Sequence, residues 1–125
     1  MSAQNKSSIH LGRVAAILGV ADIQRSYELY KSIFGFEKTF ENGDPVGFMI
    51  LKKDEAELHL SLQRGYKAPP FNVAHMMVSD AEETYRACED NGLRIIKRLK
   101  VHDYGLKAFV FADPDGNRID VGEVV

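Results

Sequence analysis

Apolar and polar positions fall into the same order twice along this chain. Residues 14–30, VAAILGVADIQRSYELY, come into step with residues 72–88, NVAHMMVSDAEETYRAC, on a shift of 58 positions. Val20 then meets Val78, Asp22 meets Asp80 and Tyr27 meets Tyr85. Each copy opens on a short apolar run of strand character, passes an aspartate and continues at helical spacing. The helical positions are Ile23, Tyr27, Tyr30 and Phe34 in the first copy, and Ala81, Tyr85 and Cys88 in the second. Asp22 and Asp80 stand where an N-cap belongs, their carboxylates able to accept the free amide hydrogens of the first turn. Glu83, three residues after Asp80, adds a capping-box signal. FGF at 34–36 and NGL at 91–93 supply a glycine where a left-handed helix end costs least.

The segments beyond the two helices match as well. VGFMILKKDEAELHLSL (46–62) and LKAFVFADPDGNRIDVGEV (106–124) both read as strand, turn, strand. In the second, Asp113, Pro114 and Gly116 occupy the first, second and fourth positions that a type I turn favours. Lys52-Lys53-Asp54-Glu55 makes the polar turn of the first, and ENGDPVG (41–47) places an Asn-Gly turn ahead of it. QRGYKAPPF (63–71) lies between the copies, where Pro69 and Pro70 forbid regular structure. The pattern predicts an α+β fold of two pseudo-symmetric βαβββ modules forming a curved mixed sheet around a groove. Module one spans 12–63, a linker 64–71 and module two 72–124, with a flexible polar tail over residues 1–11. A concave site with a few convergent polar groups is where a ligand is expected.

Composition narrows the function classes. A chain of 125 residues holds one domain with a real core. Apolar residues at 45% and charged residues at 27% match a globular protein. A formal charge of −2 offers no basic stripe for phosphates, which argues against nucleic acid. The single cysteine, Cys88, rules out an internal disulfide and suits a cytoplasmic, reducing setting. MSAQNKSSIH has no apolar leader core, and no stretch has membrane-spanning length, so no membrane is expected. Phosphate loops, nucleophile elbows and paired-cysteine zinc motifs are absent from the sequence.

With DPDGNRID near its end and VADIQRSYELYKSIFGF near its start, the chain resembles the vicinal oxygen chelate superfamily across residues 12–124. That superfamily includes glyoxalase I, extradiol dioxygenases, and fosfomycin- and bleomycin-resistance proteins. The resemblance implies a homodimer with a site inside each curved sheet, and in metal-dependent members four side chains around one ion. Carried over, the first-strand ligand positions are Ala15 and Val73, and the last-strand positions are Glu57 and Asp120. Two carboxylates remain, while a methyl and an isopropyl group stand where the other two ligands belong. A catalytic ion needs about three protein ligands; two carboxylates alone hold Mg²⁺ or Mn²⁺ weakly.

His59 shares a strand face with Glu57, and His75 shares one with Val73. A shifted cage of Glu57, His59, His75 and Asp120 is therefore the alternative, with the ion moved by about 7 Å along each strand. Other readings stand beside it. His59 can line the groove as a hydrogen-bonding group, and His75 can be a satisfied histidine in a half-buried strand. Glu57 and Asp120 can pair with Arg13 or Arg118. His10 and His102 read as solvent-facing, and Cys88 reads as packing.

AELHLSL, NVAHMMVSDAEETYRACEDNGL and DYGLKAFVFADPDGN are similar to the bleomycin-resistance branch, whose resistance proteins sequester a cationic glycopeptide at a dimer interface without metal. Such a site asks for aromatic faces and for acids that meet positive charge. Phe109 and Phe111 share one strand face, Ala108 and Val110 the other, and one of these sets is core. Tyr104 and Phe48 are the expected aromatic walls. The resulting expectation is a non-catalytic, cytoplasmic, homodimeric small-molecule binding protein with no cofactor, its ligand lined by Glu57, His59, His75, Asp120, Phe48 and Tyr104. The competing expectation is a metal-dependent glyoxalase-type lyase or isomerase, or a dioxygenase, holding one divalent ion such as Ni, Zn, Mn or Fe on Glu57, His59, His75 and Asp120. A third is an accessory dimer module whose groove is closed by packing.

Overall fold

The two repeats fold as two copies of one unit. A computed structural model describes residues 7–125; residues 1–6 of the expected tail lie outside the described residues, and residues 7–11 are exposed without regular structure. The first unit comprises β1 (Ala16–Val20), α1 (Ile23–Phe34), β2 (Glu37–Asn42), β3 (Phe48–Lys53) and β4 (Ala56–Leu62). The second comprises β5 (Asn72–Met77), α2 (Ala81–Asp90), β6 (Arg94–Val101), β7 (Leu106–Ala112) and β8 (Arg118–Val124). Each forms a four-stranded mixed sheet, in the orders β1-β4-β3-β2 and β5-β8-β7-β6. The first strand of each unit runs parallel to the last, and the remaining pairs are antiparallel. Among the described residues no helix is long and apolar enough to cross a membrane.

The helix ends agree with the sequence signals. Asp22 Oδ1 accepts from the Arg25 amide at 3.0 Å, and Asp80 Oδ1 from the Glu83 amide at 3.0 Å. Gly35, with φ +83°, ends α1 while the Phe36 amide returns to the Tyr30 carbonyl. Only a residue without Cβ adopts that left-handed geometry cheaply.

The helices lie on one side of their sheets, and both helix-facing surfaces merge into one core. Leu18, Val20, Met49, Leu51 and Leu60 enter it from the first sheet, Phe109, Phe111, Ile119 and Val121 from the second. Phe109 and Phe111 are therefore the core set, and Ala108 and Val110 face the other way. Cys88 of α2 also lies in this core, where burial pushes its thiol up to about 12. Phe34 of α1 stacks on Phe111 at 5.5 Å, so an aromatic contact crosses the module boundary. Full burial of one such side chain stabilises by about 1.5–3 kcal/mol.

The β7–β8 turn reaches into the first module. The Gly116 amide closes it on the Asp113 carbonyl. Asn117 then donates to the Gly19 carbonyl at 2.9 Å, and Asp115 Oδ1 accepts the Ala21 amide at 3.0 Å. The corresponding turn of the first module, around Asp54, leaves instead a cavity of about 570 Å³ between itself and α2.

Candidate functional site

The candidate polar residues lie on the helix-free face of each sheet. In the first sheet Ile17 and Ile50 stand opposite His59, Lys52 opposite Glu57, and Phe48 opposite Ser61. In the second, His75 and Val110 stand opposite Asp120, with Met77 and Ala108 opposite Gly122. Strand alternation puts each of these sets on one open face.

On the first sheet His59 Nε2 meets Glu57 Oε2 at 2.6 Å. The other carboxylate oxygen lies 2.5 Å from Arg13 Nε and 3.6 Å from Lys52 Nζ. Arg13 and Lys52 thus supply this buried oxygen with its charge partners. The His59 bond holds the Glu57 carboxyl below its ordinary range; desolvation opposes this, and Arg13 and Lys52 add to it. The Glu57 side chain is 7% exposed, which is why desolvation is felt despite its place near the surface. Phe48 sets its ring edge against His59 at 5.4 Å, and Phe40 does the same to Phe48 at 6.3 Å.

On the second sheet His75 Nδ1 meets Asp120 Oδ2 at 2.7 Å, with the other ring nitrogen 3.1 Å from the Met77 sulfur. A bulge between Asn72 and Ala74 shifts β5 against β8, bringing Asp120 level with His75. In the first sheet the regular register, Ile17 opposite His59, leaves Glu57 level with position 15. The two carboxylates thus stand at different depths.

The four expected ligands therefore fall into two pairs, each closed within its own sheet. Among the described residues no group of three or more His, Cys, Asp or Glu side chains is placed to hold a metal ion. Ala15 and Val73 offer no donor. This side-chain set does not fit the ion that the resemblance implies.

Two cavities adjoin these pairs. One of about 580 Å³ opens at the seam between β1 and β5, where Ala15, Glu57, Val73 and His75 contribute to its wall. Another of about 710 Å³ lies over the open face of the second sheet, bordered by Lys97, Lys100, His102, Tyr104, Val110 and Asp120. Phe48 and His59, both expected to line the ligand site, border neither. Tyr104 is 66% exposed, and His102, expected in solvent, stacks on it at 4.9 Å with 15° between the rings. Sequence reasoning looked for acids and missed the cations of β6, RIIKRLKV, which has four of them and no acid. That charge run was the available signal.

The model of the Glyoxalase/Bleomycin resistance protein/Dioxygenase superfamily matches residues 10–121. Among solved structures, a member of that superfamily from Sphaerobacter thermophilus DSM 20745 is 24% identical with a TM-score of 0.76, covering 90% of this chain and 98% of the other. A bleomycin resistance determinant encoded on the transposon Tn5 is 22% identical, TM-score 0.76, over 91% and 98% of the two chains. A bleomycin-binding protein complexed with bleomycin is 22% identical, TM-score 0.75, over 92% and 100%. At these identities the likeness to solved structures is one of fold. A search of curated proteins finds no match.

Proposed function

The chain belongs to the glyoxalase/bleomycin resistance protein/dioxygenase superfamily, and on that footing we propose that it is a metal-independent small-molecule binding protein that sequesters its ligand in a groove completed by a second copy of itself. The observation that carries this reading is the pairing of Glu57 with His59 and of Asp120 with His75. Each carboxylate already has its partner within its own sheet, and each borders a cavity of ligand size, Glu57 the one at the β1–β5 seam and Asp120 the one with an apolar floor over the second sheet. A bleomycin-binding relative of the same fold supports binding as the activity. Ile17 at 62% exposure and Phe40 at 50% leave apolar surface on the open face of the first sheet, which a partner copy would cover. A single buried thiol accords with a cytoplasmic setting.

The test is metal content of protein purified without chelator, followed by calorimetric titration with Ni²⁺, Zn²⁺, Mn²⁺ and Fe²⁺. No stoichiometric binding is expected. Near-stoichiometric metal that disappears in Glu57→Ala and Asp120→Ala would overturn the reading in favour of a metal-dependent enzyme.

A further inference from the structure

The open face of the second sheet carries a charge opposite to that of the whole chain. The net formal charge is −2, yet Lys97, Arg98 and Lys100 all border the cavity of about 710 Å³. Among the described residues none of the three forms an ion pair, whereas Lys107 and Arg86 on the helix side both pair with Glu82. The one acid at this cavity, Asp120, is bonded to His75.

The backbone aims these cations. Three positions apart on a regular strand, Lys97 and Lys100 would point to opposite faces. Register shifts on both sides of Lys97 place it opposite Val110, and Lys100 opposite Ala108, two residues apart on β7. Both lysines therefore rise from the same open face. Bulges of this kind re-aim side chains beside sites. Between them Val110 and Ala108, each 4% exposed, form an apolar floor, and the stacked rings of Tyr104 and His102 stand nearby.

We propose that the ligand of this cavity is an anion on a planar apolar body, a carboxylate or a phosphate, gripped by Lys97 and Lys100 while its body lies on Val110 and Ala108 beside Tyr104. The proposal rests on the ligand-binding reading above and names its substrate class. It departs from the expectation that acids would meet a cationic ligand. Two lysines raised on one face favour an anion by direct ion pairing.

The experiment titrates the full chain with four probes of one shape: 1-naphthoate, 1-naphthyl phosphate, uncharged naphthalene-1-methanol and cationic 1-naphthylmethylamine. The anions are expected to bind at least about tenfold more tightly than the other two, with an advantage that shrinks as salt is raised. Comparing naphthoate with naphthyl phosphate identifies the preferred anion. Lys97→Gln with Lys100→Gln should remove that advantage while Arg94→Gln, on the same strand but outside the cavity, keeps it; unchanged thermal melts guard against misfolding. Equal or tighter binding of the amine or the alcohol overturns this inference and leaves the binding-protein reading intact. Absence of binding by all four overturns the inference too, and the metal titration then decides the reading beneath it.

Discussion

The Tyr30 hydroxyl of α1 donates to Asp113 Oδ2 of the β7–β8 turn at 2.9 Å, a buried hydrogen bond that crosses the module boundary. Asp113 also accepts from the amides of Asp115 and Asn117 and from Asn117 Nδ2. Tyr30→Phe should cost about 1–2 kcal/mol in urea unfolding, and Asp113→Ala about 3 kcal/mol, because the alanine strands several buried donors. Anion binding over the second sheet should survive Tyr30→Phe, since the bond lies on the helix side.

Burial raises the Asp113 carboxyl above its ordinary range, and its donors only partly offset this. A raised acid keeps its proton in the folded state after the unfolded chain has released it. Its contribution to stability is therefore greatest below the ordinary carboxyl value and is lost as pH rises through the raised one. The stability of the wild type relative to Asp113→Asn should fall with rising pH across that window. Unfolding midpoints of both proteins over the carboxyl range check the sign.

Glu57 behaves in the opposite sense. Its bond to His59 depresses the carboxyl, so its contribution is present above the unfolded carboxyl value and lost as pH falls through the folded one. Glu57→Gln should flatten the acid limb of the stability curve, measured by the same series. An unchanged limb would mean that the pair seen on the open face carries no weight in solution.

Gly19 lies directly beneath the Tyr66 ring, where an added Cβ would overlap it. Tyr66 in turn donates to Asn117 Oδ1 at 2.6 Å. Gly19→Ala should displace the ring, break that bond and cost about 1–3 kcal/mol. Adding Tyr66→Ala to Gly19→Ala should cost less than the sum of the single changes, because one clash is shared.

Ile17→Glu and Phe40→Glu should each shift a sedimentation profile from dimer toward monomer without lowering the melting temperature of the isolated chain. A profile already monomeric in the wild type at high concentration would remove the second copy from the proposed groove.

Much of this molecule is legible in local sequence patterns. Asp22 and Asp80 announce two N-caps, and the shared spacing around them announces two units. Alternation along AFVF divides Phe109 and Phe111 from Ala108 and Val110, though it does not say which pair meets the helices. These are local signals, set by chain geometry within a few residues.

The site is only partly legible. Glu57 and His59, two apart on one strand, are expected on the same face and are there. In the competing metal reading their counterparts join them around one ion; instead His75 meets Asp120 within the second sheet. The bulge between Asn72 and Ala74 makes that pair, and the register shifts around Lys97 turn two lysines onto one face. Neither has a local sequence signal, because register belongs to two strands that meet only after the chain has folded. By itself the sequence determined the paired units, their caps and their alternation, while the resemblance pointed to the missing donors at positions 15 and 73. Tertiary structure decided which polar groups pair, which face is cationic, and which of the two turns locks the modules together, since each depends on side chains brought together from distant parts of the chain.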